Sequence, residues 1–309
     1  MVRKSDIHLI VILGPTASGK SSWGVEIAHE YNGEIVSADS RQVYEGLDIG
    51  SGKVTENEMG GVPHYLLNVI KAGSRFTVAD YKELADTAIE AIYTKRKTPL
   101  LVGGSALYLD AVIENYQLPN VDQDINYRAM LERRSTDDLC RELERVDPRH
   151  FEVVDKNNKR RLIRALEVFH LTGKPFSEFQ HKGEDMYRSM IVGIEMPRDV
   201  LYARIDARVD SRLEQGMIEE VERLLSLGIS HEWLEQLGLE YRYISRYLCN
   251  CNGSISEKNE MVQKLKFAIH DFARRQLIWF RSKENIHWCS SIDEIREHIN
   301  ESGAFRALI

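Results

Sequence analysis

The sequence feature that most constrains the fold is the segment GPTASGKS at residues 14–21. It fits the pattern G-x-x-x-x-G-K-[ST], in which glycines let backbone N–H groups converge on phosphate oxygens at the start of a helix. The apolar run IHLIVIL lies before it, and a segment of helical pattern follows it to about Tyr31. A strand, a glycine-rich loop and a helix in this order predict a phosphate-binding loop beside a buried parallel strand.

Each residue of this loop is a candidate phosphate ligand. Lys20 supplies a positive charge, and the Ser21 hydroxyl is a candidate ligand for Mg²⁺, which we expect as the cofactor. Taken alone, the loop indicates a nucleotide-binding protein that holds ATP. The predicted phosphate-binding residues are Gly14, Pro15, Thr16, Ala17, Ser18, Gly19, Lys20 and Ser21.

Further apolar runs predict the fold class. EIVSADS, TPLLVGGS and SMIVGIEM are typical of buried strands, and VADYKELADTAIEAIYTKRK has the period of an amphipathic helix. This alternation predicts an α/β fold, a P-loop NTPase-like parallel sheet core with helices on both faces. Between about Pro119 and Tyr187 the pattern is helical, which predicts an all-helical insertion domain. The predicted domains are residues 1–118, the insertion at 119–187, and residues 188–309, which complete the core and add C-terminal helices.

The charge distribution favours a polyanionic partner, although the 309-residue chain carries a net charge of −7. Residues 156–174 and 264–283 each hold six basic side chains and one acidic side chain. Two basic segments on an acidic protein suit a polyanion that docks at one place.

No apolar run reaches the roughly 18 residues of a membrane span, so we expect no membrane partner. Because the four cysteines lack Cys-x-x-Cys spacing and nothing suggests secretion, we expect a cytoplasmic protein.

Two predicted strands end in residues that could serve a ligand. Asp39 and Ser40 follow EIVSA, at the edge of the sheet where parallel strands place their ligands. The Asp39 carboxylate could position Mg²⁺ or accept a proton, or it could cap a helix. Where many NTPases have a strand that ends in aspartate, this chain has Gly103-Gly104, which argues against a motor or a GTPase and indicates close backbone approach to a ligand. Ser105 follows, either as a hydroxyl for that ligand or as an N-cap.

Five segments in order along the chain carry a resemblance to one family. GPTASGKS, SADSRQVYEGLDIGSGK, PLLVGGSALYLDAV, RRLIRALEV and ARRQLIWFR together resemble the tRNA dimethylallyltransferases, the tRNA isopentenyltransferase or IPP transferase family. The resemblance implies transfer of a dimethylallyl group from dimethylallyl diphosphate to the exocyclic N6 amine of the adenosine 3′-adjacent to the anticodon, giving N6-isopentenyladenosine and diphosphate. It also implies that the loop holds a diphosphate leaving group instead of ATP, and that the partners are dimethylallyl diphosphate and the anticodon loop of a tRNA.

The resemblance also implies roles for individual residues. Asp39 would act as general base, with Thr16 and Lys20 as further catalytic residues, and Ser21 and Asp39 would hold the metal. An adenosine in an anticodon loop must leave its stack to reach a buried site, and the DSRQ segment would read the flipped base. The implied tRNA-binding residues are Asp39, Ser40, Arg41, Gln42, Ser105, Arg128, Arg160, Arg161 and Arg164.

The basic residues of the two segments could contact tRNA or diphosphate, or they could have only a structural role. Arg160 and Arg164 lie four residues apart, so they could face tRNA phosphates from the predicted insertion or form a solvated helix face. In ARRQLIWFR, Arg275 and Arg281 are candidates for diphosphate or RNA contact, whereas Trp279 and Phe280 are typical of core residues.

The sequence departs from the family pattern near its C-terminus. It has GLEYR at residues 238–242 in place of Gly-Tyr-x-Glu, and Glu235 and His270 stand where basic residues are common. We therefore assign no substrate contact to residues 235–241.

Two alternative functions stay open: a P-loop kinase for a small molecule or nucleoside, with the insertion as its lid, and a non-catalytic RNA-binding protein. Since no coiled-coil pattern is present, we expect a monomer.

Overall fold

The computed structural model describes residues 4–116, 121, 123–179, 183–184, 186–250 and 254–305. Within these residues the strands are β1 (His8–Leu13), β2 (Gly33–Ala38), β3 (Tyr44–Glu45), β4 (His64–Tyr65), β5 (Ile70–Lys71), β6 (Thr98–Gly103), β7 (Arg188–Ile194) and β8 (His287–Cys289). The α-helices are α1 (Lys20–Glu30), α2 (Glu56–Met59), α3 (Val78–Thr94), α4 (Ala106–Ile113), α5 (Ile125–Glu132), α6 (Thr136–Val146), α7 (Pro148–Val153), α8 (Lys159–Thr172), α9 (Arg198–Glu214), α10 (Met217–Ser226), α11 (His231–Leu237), α12 (Leu239–Asn250), α13 (Ile255–Arg281) and α14 (Ile292–Ser302).

The described strands form one six-stranded sheet and one small pair. The six strands lie in the order β4-β2-β6-β1-β7-β8, and every neighbouring pair is parallel. β1 is central, with Val11 opposite Leu101 of β6 on one side and opposite Ile191 of β7 on the other. β3 and β5 form a separate parallel pair. The predicted α/β parallel core is therefore confirmed, and its central strand leads directly into the glycine-rich loop.

Both faces of the sheet are buried. On one face Ile10, Ile35 and Val102 pack in a cluster with residues of α1 and α14. Because successive side chains of a strand point to opposite faces, the equally buried Val11 and Leu101 lie on the other face. Near that face, α3 contacts β2 and β6. Strands covered on both sides explain why the sequence shows continuous apolar runs instead of alternation.

Helix ends follow their sequence signals closely. The helix α3 begins with a capping box. The Thr77 side chain accepts a hydrogen bond from the backbone N–H of Asp80, and the Asp80 side chain accepts one from the backbone N–H of Thr77. The helix α8 ends at Thr172, and Gly173 caps it with a φ of 69°, a conformation that favours glycine. The helical pattern of residues 128–146 forms two helices, α5 and α6, because Ser135 caps a new helix start by accepting from the backbone N–H of Asp138.

The chain divides into two compact units. The first comprises Met1–Leu109 and Met186–Ile309, and the second comprises Asp110–Asp185. The expected boundary between residues 118 and 119 lies outside the described residues. The second unit has its own apolar core, whose fully buried members include Leu131, Leu139, Leu143, Leu162 and Leu166. No helix in the described part of the chain is long and apolar enough to cross a membrane.

Candidate active site

The glycine-rich loop connects β1 to α1 in the first unit. Gly19 is the residue before α1 and has a φ of 93°, a conformation that favours glycine. The first turn of α1 contains Lys20 and Ser21, so the backbone N–H groups that start the helix face the loop. The loop is tightly packed, because a Cβ on Gly14 would stand 2.8 Å from Ser18 Oγ. This arrangement provides N–H donors and the positive end of a helix for a phosphate.

Lys20 lies among other charges at the start of α1. Its Nζ donates to the carbonyl oxygen of Pro15 at 3.3 Å. Burial lowers the pKa of Lys20 to about 8, and the nearby Asp39 carboxylate opposes that shift. Arg208 and Arg212 lower the pKa further. Lys20 is thus a cation that gains from an anionic ligand at neutral pH.

Asp39 follows β2 and begins a turn. Its Oδ1 accepts a hydrogen bond from the backbone N–H of Arg41 at 2.9 Å, so the carboxylate stabilises the turn that carries the DSRQ segment. No α-helix begins at Asp39, and the helix-capping alternative is wrong. The backbone N–H of Ser40 donates to Ser105 Oγ at 2.9 Å, so Ser105 joins the ends of β2 and β6.

The side chains of the loop and of Asp39 share one cavity, which we call the inner cleft. Thr16, Lys20 and Ser21 line it together with Asp39, which brings the predicted phosphate, metal and base residues to one place. Its other lining residues are Ile35, Ser37, Gln42, Ser51, Gly52, Val54, His64, Val102, Gly103, Arg208 and Arg212.

A second cavity, which we call the outer cavity, shares Thr16, Lys20, Asp39, Ser51 and Arg212 with the inner cleft. Its further lining residues are Ser40, Arg41, Gly104, Ser105, Ala106, Leu107, Tyr108, Leu239, Glu240, Phe272, Arg275, Gln276 and Trp279. Asp39 therefore faces both a polar cleft beside the phosphate loop and a larger space with aromatic walls. Of the C-terminal candidates, Arg275 and Trp279 lie here, whereas Arg281 pairs with Glu195 at 3.1 Å and Phe280 is buried.

Sequence reasoning missed a row of arginines on α9. Arg204, Arg208 and Arg212 are spaced four residues apart, so they share one face of the helix. Arg208 Nη2 donates to Thr16 Oγ1, and Arg204 Nη1 lies 3.8 Å from where a Cβ on Gly19 would stand. Burial, with a contribution from Arg212, lowers the pKa of Arg208 to about 10. The RxxxRxxxR spacing was a readable signal, because like charges on one helix face repel unless an anion lies against them.

Gln276 on α13 was also missed. Its Oε1 accepts from the backbone N–H of Thr16 at 2.9 Å, and its Nε2 donates to the carbonyl oxygen of Gly104 at 2.7 Å. A Cβ on Gly104 would stand 2.7 Å from this Nε2, and one on Gly103 would collide with the backbone of Ala38. The glycine pair therefore makes room for protein atoms, and Gly103 and Gly104 also line the inner cleft and the outer cavity.

Gln42 is bound at both ends of its amide. Its Oε1 accepts from the Ser37 hydroxyl at 3.2 Å, and its Nε2 donates to the carbonyl oxygen of Gly52 at 3.0 Å. The side chain is buried and lines the inner cleft. It therefore joins the end of β2 to the 46–53 loop.

The predicted tRNA-binding residues of the second unit fall into two classes. Arg128 and Arg164 both bind the fully buried Glu167 carboxylate, with nitrogen–oxygen distances of 2.7 and 2.8 Å. Both arginines hold the pKa of Glu167 below its usual range against the effect of burial. Arg160 and Arg161 are exposed at the start of α8. Only the latter pair presents its full charge to solvent.

Comparisons with known proteins show the family of this chain. The IPP transferase family profile matches residues 42–283. A tRNA dimethylallyltransferase of Anoxybacillus flavithermus is 38% identical over 298 residues, which cover 95% of this chain and 94% of that protein. A tRNA dimethylallyltransferase 2 of Citrifermentans bemidjiense is 44% identical over 285 residues, which cover 91% of this chain and 90% of that protein.

Solved structures give the same result. The full-length tRNA isopentenylpyrophosphate transferase of Bacillus halodurans superposes with a TM-score of 0.71 at 37% identity, over 97% of each chain. A eukaryotic dimethylallyltransferase acting on tRNA superposes with a TM-score of 0.75 at 25% identity, over 91% of this chain and 73% of that one. These relatives do not favour the kinase alternative. The chain belongs to the IPP transferase family, the tRNA dimethylallyltransferases.

Proposed function

We propose that this protein transfers the dimethylallyl group of dimethylallyl diphosphate to the exocyclic N6 amine of the adenosine 3′-adjacent to the anticodon of a tRNA. The observation that carries the proposal is the position of Asp39, which lines both the inner cleft beside the phosphate loop and the outer cavity. A carboxylate placed there lies between a leaving group in one space and an acceptor amine in the other.

The inner cleft suits a diphosphate leaving group. As the bond between the allylic carbon and the diphosphate oxygen breaks, negative charge grows on that oxygen and on its phosphates. Lys20, the N–H groups of the loop and Arg208 lie where they can stabilise this charge. Because an allylic carbon tolerates cationic character, the reaction needs no covalent enzyme intermediate.

Asp39 is the group placed to receive the proton. The amine nitrogen forms its bond to the allylic carbon and must lose one proton, which the Asp39 carboxylate accepts. One of its oxygens, Oδ1, is held by the Arg41 backbone N–H, so the carboxylate has a fixed orientation before substrate binds. Holding the amine in line with the carbon provides the remaining rate enhancement.

A magnesium ion fits the residues of the inner cleft. Mg²⁺ is commonly held by one or two protein oxygens together with phosphate oxygens and water, and Ser21 and Asp39 supply a hydroxyl and a carboxylate in the same cleft. When bound, the ion would neutralise part of the leaving group's charge. Ser21 at the start of α1 and Asp39 after β2 would hold it.

The outer cavity suits a base that has left its stack. Ser40, Arg41 and Ser105 offer polar groups, and Phe272 and Trp279 offer aromatic faces. Exposed Arg160 and Arg161 would contact the phosphates of the same tRNA. We further propose that the protein acts as a monomer in the cytoplasm, where its tRNA substrate is found.

The direct test mixes the protein with radiolabelled dimethylallyl diphosphate, Mg²⁺ and unmodified tRNA, then digests the RNA and identifies its nucleosides by mass spectrometry. We expect label in N6-isopentenyladenosine at the position next to the anticodon, together with free diphosphate. A parallel reaction contains labelled ATP in place of the prenyl donor. Transfer of the γ-phosphate from ATP without prenylation of tRNA would contradict the proposal and restore the kinase alternative.

A further inference from the structure

Arg212 is the third member of the arginine row on α9, and it differs from the other two in its surroundings. It lines both cavities, and its side chain is only 12% exposed. Its Nη1 donates to the carbonyl oxygen of Gly50 at 3.3 Å and lies 3.6 Å from Glu240 Oε1. The guanidinium therefore lies beside the phosphate loop with only long contacts to hold it.

The backbone opposite Arg212 is shaped to admit its guanidinium. Gly52 has a φ of 61°, and a Cβ built on it would overlap Arg212 Nη2. A larger residue at position 52 would therefore exclude the arginine from the cleft wall. Two independent features, the row of arginines and the absence of a side chain on Gly52, place a cation at this point.

Glu240 is the buried carboxylate that faces this cation. It is 4% exposed, and its Oε2 is buried without a hydrogen-bond partner. Its oxygens lie 3.6 Å from Arg212 and 3.6 Å from Arg41, so it partly neutralises both. An ion group with such long separations is incompletely paired, and its arginines keep donors for a stronger acceptor.

We propose that Arg212 is a further diphosphate-binding residue, and that Glu240 is its counter-ion and positioning residue in the free protein. This inference rests on the proposed function, because it takes the diphosphate of the prenyl donor as the ligand. A diphosphate in the inner cleft offers charged oxygens that Arg212 can bind with two donors, and Glu240 competes for the same guanidinium. The chemical class recognised is a pyrophosphate group, with or without the attached prenyl chain.

The test measures binding of inorganic pyrophosphate to the 309-residue protein by calorimetry, with and without Mg²⁺. Arg212→Met removes the charge and keeps a long side chain, and we expect it to weaken binding by about tenfold or more. The matched control is Arg223→Met. Arg223 is exposed, donates to the carbonyl oxygen of Gly46 in the same loop, and lines neither cavity. We expect that control to change binding by less than about twofold.

Glu240→Gln tests the counter-ion role. The Glu240 carboxylate competes with pyrophosphate for Arg212, so Glu240→Gln is expected to tighten pyrophosphate binding by about a few fold when Arg212 is present. The same substitution should have a smaller effect in a protein that already carries Arg212→Met. An equal effect in both backgrounds would show that Glu240 does not act through Arg212. Thermal melting without pyrophosphate identifies any variant that fails to fold. If Arg212→Met does not fold, Arg212→Lys, which keeps the charge, takes its place, and we expect it to lose part of the pyrophosphate affinity.

The outcomes separate this inference from the proposed function. If the wild-type protein binds pyrophosphate and folded Arg212→Met binds it equally well, Arg212 is not a diphosphate ligand, although the proposed reaction stands. If the wild-type protein does not bind pyrophosphate with or without Mg²⁺, the diphosphate site itself is wrong. In the prenylation assay, Arg212→Met is expected to raise KM for dimethylallyl diphosphate more than it lowers kcat.

Discussion

Gln276 accepts a hydrogen bond at 2.9 Å from the backbone N–H of Thr16, a residue 260 positions earlier in the chain. The same side chain donates to Gly104 at the end of β6. One buried amide therefore joins the phosphate loop to the neighbouring strand end, and it does so from the longest helix of the described chain. The loop conformation that receives the phosphates depends on a residue far outside the loop motif.

Replacing Gln276 with alanine should therefore disturb the phosphate loop. The substitution leaves the Thr16 N–H and the Gly104 carbonyl without their partner, which should cost about 2 kcal/mol of unfolding free energy. Urea denaturation checks the stability, and KM for dimethylallyl diphosphate should rise. Gln236→Ala, at an exposed glutamine of α11, is the control and should change neither quantity. Unchanged stability and KM in Gln276→Ala would contradict the role of this amide.

Asp39→Ala should lower the rate of prenyl transfer while tRNA affinity stays nearly the same. Removing a general base typically costs about 10² to 10⁴ in rate, whereas the interactions of the tRNA elsewhere are unchanged. Single-turnover kinetics at saturating tRNA measure the rate, and filter binding measures the affinity. Asp39→Asn keeps an acceptor for the Arg41 N–H, so it separates loss of the base from loss of the turn. A rate in Asp39→Asn equal to wild type would remove Asp39 as the base.

The pKa of Lys20 predicts a pH dependence of pyrophosphate binding. Since burial lowers this pKa to about 8, the free protein loses the ammonium charge as the pH rises through that value. Pyrophosphate prefers the charged form, so its affinity should fall above pH 8, by up to about tenfold for each further pH unit. The Lys20→Arg variant stays charged over this pH range, so any change in its affinity reports the titration of pyrophosphate itself. Parallel pH profiles for the two proteins would contradict the prediction.

Arg160 and Arg161 should determine part of the salt dependence of tRNA binding. Both are exposed, and removing one arginine–phosphate interaction should reduce the slope of log Kd against log salt concentration by about one. The double substitution to alanine is compared with Arg145→Ala, at an exposed arginine of α6. An unchanged slope in the double variant would mean that this face of α8 is merely solvated. Arg164 is unsuitable for this test, because its replacement would remove one of the two arginines that bind the buried Glu167.

Much of the fold could be predicted from the sequence because the parallel strands are buried on both faces. Their continuous apolar runs mark β1, β2, β6 and β7 directly. β8 could not be found in this way, since His287–Cys289 is only three residues long and begins with an exposed histidine. The division between α5 and α6 was readable from the Ser135 cap, but the apolar period continues across it and hides the interruption.

The candidate site was partly predictable for a different reason. The phosphate loop and Asp39 carry local signals, and parallel strands bring their carboxyl ends to one edge of the sheet. Gln276 has no such signal, because a buried glutamine is recognised only when its partners across the fold are known. Glu240 was set aside as a departure from the family pattern, yet it faces Arg41 and Arg212 in the cavity wall. Tertiary contacts alone reveal that role.

The distance along the chain between the phosphate loop and its partners has a consequence for synthesis on the ribosome. The loop leaves the exit tunnel before two of its partners, because Arg208 and Gln276 follow 192 and 260 residues after Thr16. At translation rates of about 5 to 20 residues per second, the last of these arrives roughly 13 to 50 seconds later. Until residues 188–194 have emerged, β1 also lacks β7, one of its two neighbours. A nascent chain of this protein thus carries a phosphate loop that lacks part of its support until the segment around Gln276 has emerged.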